Sequence, residues 1–551
     1  MSSLTRVRRA HERIAAVDRP DLWIGLRSRA EVESEAGAID ERVAAGEHLP
    51  LAGLVFAVKG NIDVHGLDTT AGCPAYAYAP TADAPVVARL RAAGAIALGT
   101  TNLDQFATGL VGTRSPYGAV RSAHDPTRIG GGSSSGSAVA VALGIVDFAL
   151  GTDTDTAGSG RVPAAFNGIV GLKPTRGLVP TTGVVPACAS IDCVTVFART
   201  LPEAERALAH MASPPGRALP PLPQRAPGPW RIAVPPLAQL GELDEGWARA
   251  YQGAVARLAR AGAEVRAVDL TPFTEAAAML YEGAFVAERY TAVGEFVDKT
   301  IAEGGDGLDP TVAGIITRAR DIPAHRLFAD RARLAGLRAH ALAGLADADA
   351  LLLPTTPGHP TLAEVAADPL GSNARLGRFT NSTNLFDLAA VAVPAGEVDG
   401  LPFGVMLIGP AFTDERLARI ARSLEADTQL VVVGAHLSGR PLNPQLLALG
   451  ARLDRTTATA PVYRLHALPT TPPKPGLVHV GEGGAAIEAE VWRLPAEGLG
   501  RLLAGLPRPM TLGRVELADG GHAPGFLCEP AALENAPDIT AYGGWRAYLD
   551  H

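Results

Sequence analysis

The chain has 551 residues, of which 47% are hydrophobic, and it carries a formal net charge of −8. This length predicts a large core and two or more domains, whereas the acidic balance argues against the basic surface that nucleic-acid binding requires. The absence of any apolar run long enough for a membrane helix predicts a protein that does not cross a membrane.

The N-terminal residues and the cysteines bear on the compartment. Residues 1–20 carry many charges and no apolar core, so we expect no secretory signal there. Cys73, Cys188, Cys193 and Cys528 are too few and too scattered for a disulfide framework or a zinc site. We therefore expect reduced thiols and a cytoplasmic protein.

The first 200 residues alternate short apolar runs with helical stretches. Residues 55–58 and 95–98 are predicted strands, and residues 85–93 and 137–143 are predicted helices. This alternation is typical of an α/β sheet that helices cover on both faces.

Lys59 directly follows the first of these strands, in the run Phe56-Ala57-Val58-Lys59-Gly60-Asn61. Such an apolar run carries the lysine into the interior instead of leaving it on a solvated face. A desolvated lysine loses proton affinity, so Lys59 is a candidate general base.

Two serines lie on glycine-rich backbone further along the chain. Ser133 belongs to residues 130–137, which read Gly-Gly-Gly-Ser-Ser-Ser-Gly-Ser, and Ser159 belongs to Gly158-Ser159-Gly160-Arg161. A serine needs a neighbouring base to become a nucleophile, so we predict that Ser159 attacks and that Ser133 relays its proton to Lys59. The backbone N–H groups of Thr156, Ala157 and Gly158, with that of Ser159, are the candidate oxyanion hole.

The alternative for residues 130–137 is a flexible linker or a phosphate-binding loop. The apolar residues that follow, 138–143, favour a buried helix over a linker. A phosphate loop also needs Lys-Ser or Lys-Thr soon after the glycines, and this segment has neither.

The rest of the chain shows one composition break and several further elements. Proline-rich residues 213–229 are a predicted surface connection, followed by a strand at 230–234, a helix at 245–261 and a strand at 350–357 that extend the same sheet. Thr/Ala-rich residues 456–461 are the predicted linker. The predicted domains are therefore 1–455 and 462–551.

Four segments together resemble the amidase signature family. They are Val-Lys-Gly-Asn at 58–61, Gly-Gly-Ser-Ser-Ser-Gly at 131–136, Gly-Ser-Gly-Arg-Val-Pro-Ala-Ala at 158–165 and Gly-Leu-Lys-Pro-Thr at 171–175. The resemblance implies the amidase-signature mixed sheet and a Ser-cisSer-Lys triad, which maps onto Ser159, Ser133 and Lys59. Residues 186–193 and the last ninety or so residues resemble the allophanate hydrolase branch of the family.

That branch implies hydrolysis of allophanate, a small planar anion, to ammonia and N-carboxycarbamate. An arginine is the expected anchor for a carboxylate, because a guanidinium donates two parallel hydrogen bonds. Tyr281 and Arg289 resemble the family's substrate-binding pair, eight residues apart and so about two turns apart on one helix face. The alternative is a surface helix in which Arg289 pairs with Glu282 or Glu288. We also expect Gly109 to line the pocket with its backbone.

The C-terminal segment resembles a small α+β domain similar in fold to the γ-glutamyl cyclotransferases. In the family this domain is associated with decarboxylation of N-carboxycarbamate and with dimer assembly, so we expect a homodimer. The candidate polar residues there are His466, Lys474, Glu490, His522 and Glu529, each with a solvated or structurally paired side chain as the alternative.

No cofactor and no metal are expected. His11, His325 and His359 lack metal-ligand spacing. A biotin site would need a carrier segment with a lysine between methionines, so biotin is expected on a urea carboxylase partner that acts upstream.

One departure from the family pattern lies before the nucleophile. The family reads Gly-Thr-Asp-Thr-Ala-Gly-Ser, whereas residues 151–159 read Gly-Thr-Asp-Thr-Asp-Thr-Ala-Gly-Ser. Two extra residues can span roughly 7 Å, so they must loop out or displace the site. We expect them to loop out near residues 152–155. The open alternatives are an amidase of another substrate class, such as the glutamine-hydrolysing component of an amidotransferase, and an inactive structural homologue.

Overall fold

The computed structural model describes residues 2–153, 158–213, 228–424 and 428–551. The chain divides into two units, Met1–Leu424 and Glu425–His551. Most of the proline-rich connection predicted at 213–229 lies outside the described residues.

The first unit is built on one mixed β-sheet. Within the described residues its eleven strands run in the order β1-β3-β2-β4-β6-β5-β10-β11-β9-β7-β8. The strands are β1 (Trp23–Leu26), β2 (Val55–Lys59), β3 (Ile96–Thr101), β4 (Phe148–Asp153), β5 (Val170–Lys173), β6 (Cys193–Ala198), β7 (Arg231–Val234), β8 (Glu264–Ala267), β9 (Ala350–Pro354), β10 (Leu388–Val398) and β11 (Leu401–Pro410).

Helices surround this sheet. They are α1 (Ser3–Val17), α2 (Arg29–Ala44), α3 (Pro85–Ala92), α4 (Ser135–Ala142), α5 (Val162–Phe166), α6 (Leu201–Met211), α7 (Trp247–Arg260), α8 (Thr271–Glu282), α9 (Ala287–Ala302), α10 (Pro310–Arg318), α11 (Ala324–Gly344), α12 (Leu362–Ala367), α13 (Pro369–Leu376), α14 (Ser382–Leu385) and α15 (Asp414–Ala421). Every residue of β2, β3, β4 and β6 is buried, which requires cover on both sheet faces. The predicted α/β class is therefore confirmed.

The parallel part of the sheet positions the polar residues. β2 pairs in parallel with both β3 and β4, so the carboxyl ends of these three strands lie along one edge. Lys59 ends β2, Thr101 ends β3 and Asp153 ends β4. Residues far apart in sequence are thereby brought to one place, as is usual for sites at the carboxyl ends of parallel strands.

The second unit has its own sheets and its own core. Its strands are β12 (Thr428–Val432), β13 (Arg452–Ala458), β14 (Tyr463–Leu468), β15 (Lys474–His479), β16 (Glu488–Leu494), β17 (Met510–Glu516) and β18 (His522–Cys528), and its helices are α16 (Asn443–Ala448), α17 (Ala496–Ala504) and α18 (Trp545–Leu549). Five strands form a sheet in the order β13-β16-β12-β18-β17, and β14 pairs with β15.

The predicted domain boundary was placed about thirty residues too late. The predicted linker, 456–461, begins inside β13, which pairs with β16 of the C-terminal sheet. β12, well before it, lies at the centre of the same sheet. β13 is an exposed edge strand, so its Thr- and Ala-rich composition resembles a linker although its backbone is paired. The division between the units falls instead at Leu424/Glu425.

Candidate active site

Lys59 and Ser133 form the centre of the candidate site. The Lys59 Nζ donates hydrogen bonds to Ser133 Oγ and to Thr152 Oγ1, each over 2.7 Å. All three side chains are at most 1% exposed. The two predicted residues are therefore in direct contact, and Thr152, which the sequence reading did not assign, is the second partner of the lysine.

Burial gives Lys59 the proton affinity of a base near neutral pH. Desolvation lowers the pKa of Lys59 to about 7, although the carboxylates of Asp104, Asp153 and Asp192 act in the opposite direction. A lysine with this pKa is partly neutral at pH 7 and can accept a proton.

Ser133 lies in a loop that accepts only glycine at the preceding position. The peptide bond between Gly132 and Ser133 is cis. A Cβ on Gly132 would lie 2.1 Å from Asp104 Oδ2 and 2.6 Å from the Gly112 nitrogen. Asp104 also donates its backbone N–H to the Ser133 carbonyl oxygen over 3.1 Å. Asp104 thus packs directly against the loop that presents Ser133.

Ser159 is fully buried, three residues before α5 begins. The preceding Gly158 has φ +156°, and a Cβ there would lie 2.6 Å from Thr380 Oγ1. Glycine is thus required at 158 for both conformation and space. Of the oxyanion candidates, Thr156 and Ala157 lie outside the described residues, so the structure gives the positions of Gly158 and Ser159.

A buried ion pair joins the end of β4 to the turn after Ser159. Asp153 and Arg161 are both fully buried, and Arg161 donates from Nε to Oδ2 and from Nη2 to Oδ1, each over 3.0 Å. Asp153 Oδ2 also accepts from the Gly160 N–H over 3.0 Å. Burial raises the pKa of Asp153, but the Arg161 charge and its hydrogen bonds outweigh it, so the pKa is lowered and the carboxylate stays ionised. This pair was not predicted from the sequence, where the available signal was an arginine directly before the apolar residues 162–166.

The duplicated Thr-Asp does not loop out at its first pair. Thr152 and Asp153 belong to β4 and pair with Val194 and Cys193 of β6. Their side chains make the contacts with Lys59 and Arg161 described above. The expected loop near 152–155 is therefore wrong for 152 and 153, because these residues complete the strand. Thr154 and Asp155 lie outside the described residues.

Removing one Thr-Asp pair is expected to leave turnover unchanged or to raise it. Deleting Thr152 and Asp153 gives the same chain as deleting Thr154 and Asp155, so the remaining pair can take the β4 contacts. The shorter approach to Ser159 has fewer conformations to lose, at about 1–2 kcal/mol per ordered residue. The measurement is kcat for ammonia release from an amide substrate.

The length-matched control replaces Thr154 and Asp155 with glycine. This variant adds conformational freedom at constant length, so we expect a lower kcat. A large loss of kcat in the deletion variant would show that both pairs are needed in the site.

Tyr281 and Arg289 meet, but they lie on two helices. Tyr281 belongs to α8 and Arg289 to α9, with a break at Gly283, where a Cβ would lie 2.4 Å from the Met279 carbonyl oxygen. The prediction of one continuous helix face is therefore wrong. The Arg289 guanidinium carbon nevertheless lies 5.8 Å from the centre of the Tyr281 ring.

Arg289 is an interior residue and not part of a surface helix. It is 1% exposed, and its Nη1 donates to Thr108 Oγ1. Glu288, proposed as an alternative partner, accepts instead from the Ser190 hydroxyl over 2.9 Å. Burial, together with the charge of Arg114, lowers the pKa of Arg289 to about 9, so the guanidinium remains charged at neutral pH.

Gly109 follows Thr108 and turns the chain sharply. Its φ is +157°, and a Cβ would lie 2.7 Å from Asp104 Oδ2. The next residue, Leu110, donates its N–H to Asn373 Oδ1 over 2.7 Å and accepts from the Gly132 N–H over 2.8 Å. The loop that carries Gly109 therefore lies between Arg289 and the loop of Ser133.

The candidate residues of the second unit fall into two sets. Four have protein partners: His466 with the Ala536 carbonyl oxygen, Glu490 with Arg546, His522 with Glu516, and Glu529 with Arg508. Lys474 instead lines a cavity of about 230 Å³.

His436 lines the same cavity and was missed by the sequence reading. Its ring stacks on Phe526 with centroids 4.6 Å apart, and its Nε2 lies 3.3 Å from Gln445 Oε1. Burial, and secondarily the charge of Lys474, lowers the pKa of His436 to about 4, so the imidazole is neutral at pH 7. The cavity thus combines a neutral imidazole with an ammonium group.

Neither a metal-binding cluster nor a membrane-spanning helix occurs among the described residues. They contain no group of three or more His, Cys, Asp or Glu side chains that could hold a metal ion. None of the described helices is both long enough and apolar enough to span a bilayer.

Two family descriptions match the chain. Residues 6–418 match the amidase family, and residues 428–550 match the allophanate hydrolase C-terminal domain. The interval between the two matches contains the division at Leu424/Glu425.

Individual relatives cover different parts of the chain. A urea amidolyase of Lachancea kluyveri is 43% identical over 96% of this chain and 31% of its own length, so the chain spans about a third of that relative. The A component of a glutamyl-tRNA(Gln) amidotransferase from Symbiobacterium thermophilum is 36% identical over 72% of this chain and 88% of its own. The structure is similar to that of selenomethionine-substituted Kluyveromyces lactis allophanate hydrolase, with a TM-score of 0.71, 40% identity and coverage of 100% of this chain and 97% of that one.

Proposed function

Since this chain belongs to the amidase family and carries an allophanate hydrolase C-terminal domain, we propose that it hydrolyses allophanate (urea-1-carboxylate) to ammonia and N-carboxycarbamate. N-carboxycarbamate then loses carbon dioxide. The reaction serves nitrogen recovery from urea or from s-triazines.

A buried arginine beside the candidate catalytic loop carries this proposal. Arg289 lies against Tyr281 and Thr108, next to the loop of Gly109. A buried guanidinium can donate two parallel charge-assisted hydrogen bonds to a carboxylate, an arrangement that a neutral amide does not offer. Allophanate carries a carboxylate at one end and the scissile amide at the other.

The proposed first step uses the three predicted residues in sequence. Ser159 Oγ attacks the terminal amide carbonyl, its proton passes to Ser133 Oγ, and the Ser133 proton passes to neutral Lys59 Nζ. Backbone N–H groups at Gly158 and its neighbours Thr156 and Ala157 stabilise the oxyanion. The lysine returns the proton through Ser133 to the departing nitrogen, and ammonia leaves.

Water then completes the turnover. It attacks the acyl-enzyme carbonyl by the same relay, and Ser159 leaves with its proton restored. The product is N-carboxycarbamate, and no cofactor takes part.

Ammonia release from allophanate by the purified chain tests the proposal directly. Release from allophanate but not from glutamine supports it, and release from glutamine alone would favour the amidotransferase-type alternative. The amidotransferase relative covers only 72% of the chain, which argues against that alternative. No release from any amide would leave the inactive structural homologue.

Arg289→Lys is expected to weaken allophanate binding selectively. Lysine keeps the charge but loses the planar fork, so KM for allophanate should rise about tenfold or more while kcat/KM for a small neutral amide changes little. The matched control is Arg331→Lys at an exposed position of α11, which should change KM and kcat/KM for neither substrate. Equal losses on both substrates would contradict a carboxylate anchor.

For the second step, we propose that the cavity of His436 and Lys474 receives N-carboxycarbamate. The Lys474 ammonium can attract this dianion, and the neutral His436 imidazole can hydrogen bond to it or transfer a proton. Loss of carbon dioxide leaves carbamate, which releases the second ammonia.

His436→Ala is expected to separate the two ammonia molecules in time. The first ammonia should appear at the normal rate, and the second should be delayed at least about tenfold, since a positioned acid or base is lost. Quenched time courses of ammonia and carbon dioxide release measure this delay. His466→Ala, which removes a partnered histidine of the same unit, is the control and should show no delay. Unchanged timing in His436→Ala would reject the cavity as the second site.

The remaining assignments concern partners and location. We propose a homodimer in the cytoplasm, to be tested by light scattering and by fractionation. The substrate arises when a biotin-dependent urea carboxylase carboxylates urea, so a functional link to that enzyme is proposed. The similarity to about a third of a urea amidolyase supports this link.

A further inference from the structure

Two adjoining cavities of the first unit lie near the candidate active site. They measure about 420 Å³ and 370 Å³ and share the residues Ile315, Arg318 and Leu370. These residues belong to α10 and α13. Arg318 and Leu370 are exposed, so the shared region reaches the surface. We call the two cavities together the vestibule.

The inner wall of the vestibule belongs to the proposed substrate pocket. Tyr281 and Asn373 line the larger cavity. Tyr281 also contacts Arg289, and Asn373 accepts from the Leu110 N–H beside Gly109. Leu110 in turn accepts from Gly132, the residue before Ser133. Tyr281, Asn373 and the loop of Leu110 therefore lie between the vestibule and the loop that carries Ser133.

The smaller cavity is tied to the same loop. Pro369 lines it, and the Pro369 carbonyl oxygen accepts from Arg114 Nη2 over 2.7 Å. Arg114 Nη1 donates to the Thr108 carbonyl oxygen over 3.0 Å. Pro369, which lines the smaller cavity, is thus linked through Arg114 to Thr108, the residue that contacts Arg289.

Arg318 lines both cavities and ends α10. It makes no ion pair and no side-chain hydrogen bond with any residue in the described ranges. No carboxylate of the described residues therefore pairs directly with the Arg318 guanidinium, which lines the vestibule. Glu282 lines the larger cavity too and is exposed, and its charge opposes that of Arg318 there.

We propose that the vestibule is the entry route to the candidate active site and that Arg318 captures small carboxylate anions at its mouth. The inference rests on the proposed function and adds the route and the capturing residue. An anion held near Arg318 is concentrated at the surface and moves inward towards the Arg289 guanidinium. Attraction of this kind raises the encounter rate and is screened by salt beyond about 10 Å at 0.1 M.

The test measures ammonia release by four single variants of the full chain. Arg318→Gln removes the charge, Arg318→Glu reverses it, and Glu282→Gln removes the opposing charge. Arg331→Gln makes the same change of net charge at an exposed arginine that lines neither cavity. Each variant is assayed with allophanate and with a small neutral amide, at about 20 mM and about 0.5 M salt.

We expect the Arg318 variants to lower kcat/KM for allophanate without lowering kcat. At low salt kcat/KM for allophanate should fall about threefold to tenfold in Arg318→Gln and further in Arg318→Glu, with kcat unchanged. It should rise in Glu282→Gln and stay constant in Arg331→Gln. The differences should vanish at high salt and be absent for the neutral amide.

Other outcomes overturn the proposal. A wild-type kcat/KM in Arg318→Gln at low salt, or an equal loss for the neutral amide, would reject anion capture while leaving the proposed function intact. A loss that persists at high salt and lowers kcat would assign Arg318 a structural role instead. Wild-type protein that releases no ammonia from allophanate would overturn the proposed function and this inference with it.

Discussion

Ser159→Ala is expected to abolish ammonia release from allophanate, lowering kcat at least about a thousandfold. The variant removes one buried hydroxyl and leaves Gly158 and the Asp153–Arg161 pair in place. The fold should therefore persist, with an unchanged circular dichroism spectrum. Retention of more than a few per cent of the rate would reject Ser159 as the nucleophile.

Ser28→Ala separates chemistry from stability. Ser28 caps α2 far from the site and is exposed, so its loss costs about 1 kcal/mol of stability. We expect this control to melt earlier and to keep its full rate. If Ser28→Ala lost as much activity as Ser159→Ala, lost stability and not a lost nucleophile would explain the effect of Ser159→Ala.

The other two residues of the proposed triad provide a test of joint action. Ser133→Ala and Lys59→Ala should lower kcat similarly, because the 2.7 Å hydrogen bond between Lys59 and Ser133 is one link of the proposed proton relay. Combining either with Ser159→Ala should cause little further loss, since residues that act as a unit lose their effect once. Additive losses would indicate separate roles.

The second large expected effect is the dependence of kcat/KM on pH. Lys59 must be neutral to accept a proton, and its pKa is lowered to about 7 by burial. The neutral form dominates above this pKa, so kcat/KM should rise as the pH increases through about 7 and should fall about tenfold per unit below it. Initial rates from pH 5 to pH 9 measure this limb.

The variant Asp192→Asn shows which group titrates as kcat/KM rises with pH. Burial raises the pKa of Asp192 to about 6, so this carboxyl is the competing explanation. The Asp192 carboxylate also raises the pKa of Lys59. If Lys59 is the titrating group, the limb should move to lower pH in Asp192→Asn. Disappearance of the limb would assign it to Asp192 instead.

The sequence by itself determined the features that depend on local patterns. The apolar run before Lys59 predicted both β2 and the burial of the lysine, and the glycine-rich backbone around Ser133 and Ser159 singled out these two serines as candidates. Each follows from neighbouring residues alone, because strand formation, burial and glycine conformation are set within a few positions. The α/β class and the family resemblance follow from the same motifs.

Only the tertiary structure decided which distant residues meet. The strand order brings Thr152 to Lys59 and sets Asp153 at the edge where Arg161 pairs with it. The break at Gly283 puts Tyr281 and Arg289 on separate helices, and the pairing of β13 moves the domain boundary to Leu424/Glu425. The proposed roles of His436 and Arg318 rest on the cavities that these residues line. These contacts depend on how strands and helices pack in three dimensions, which no local pattern encodes.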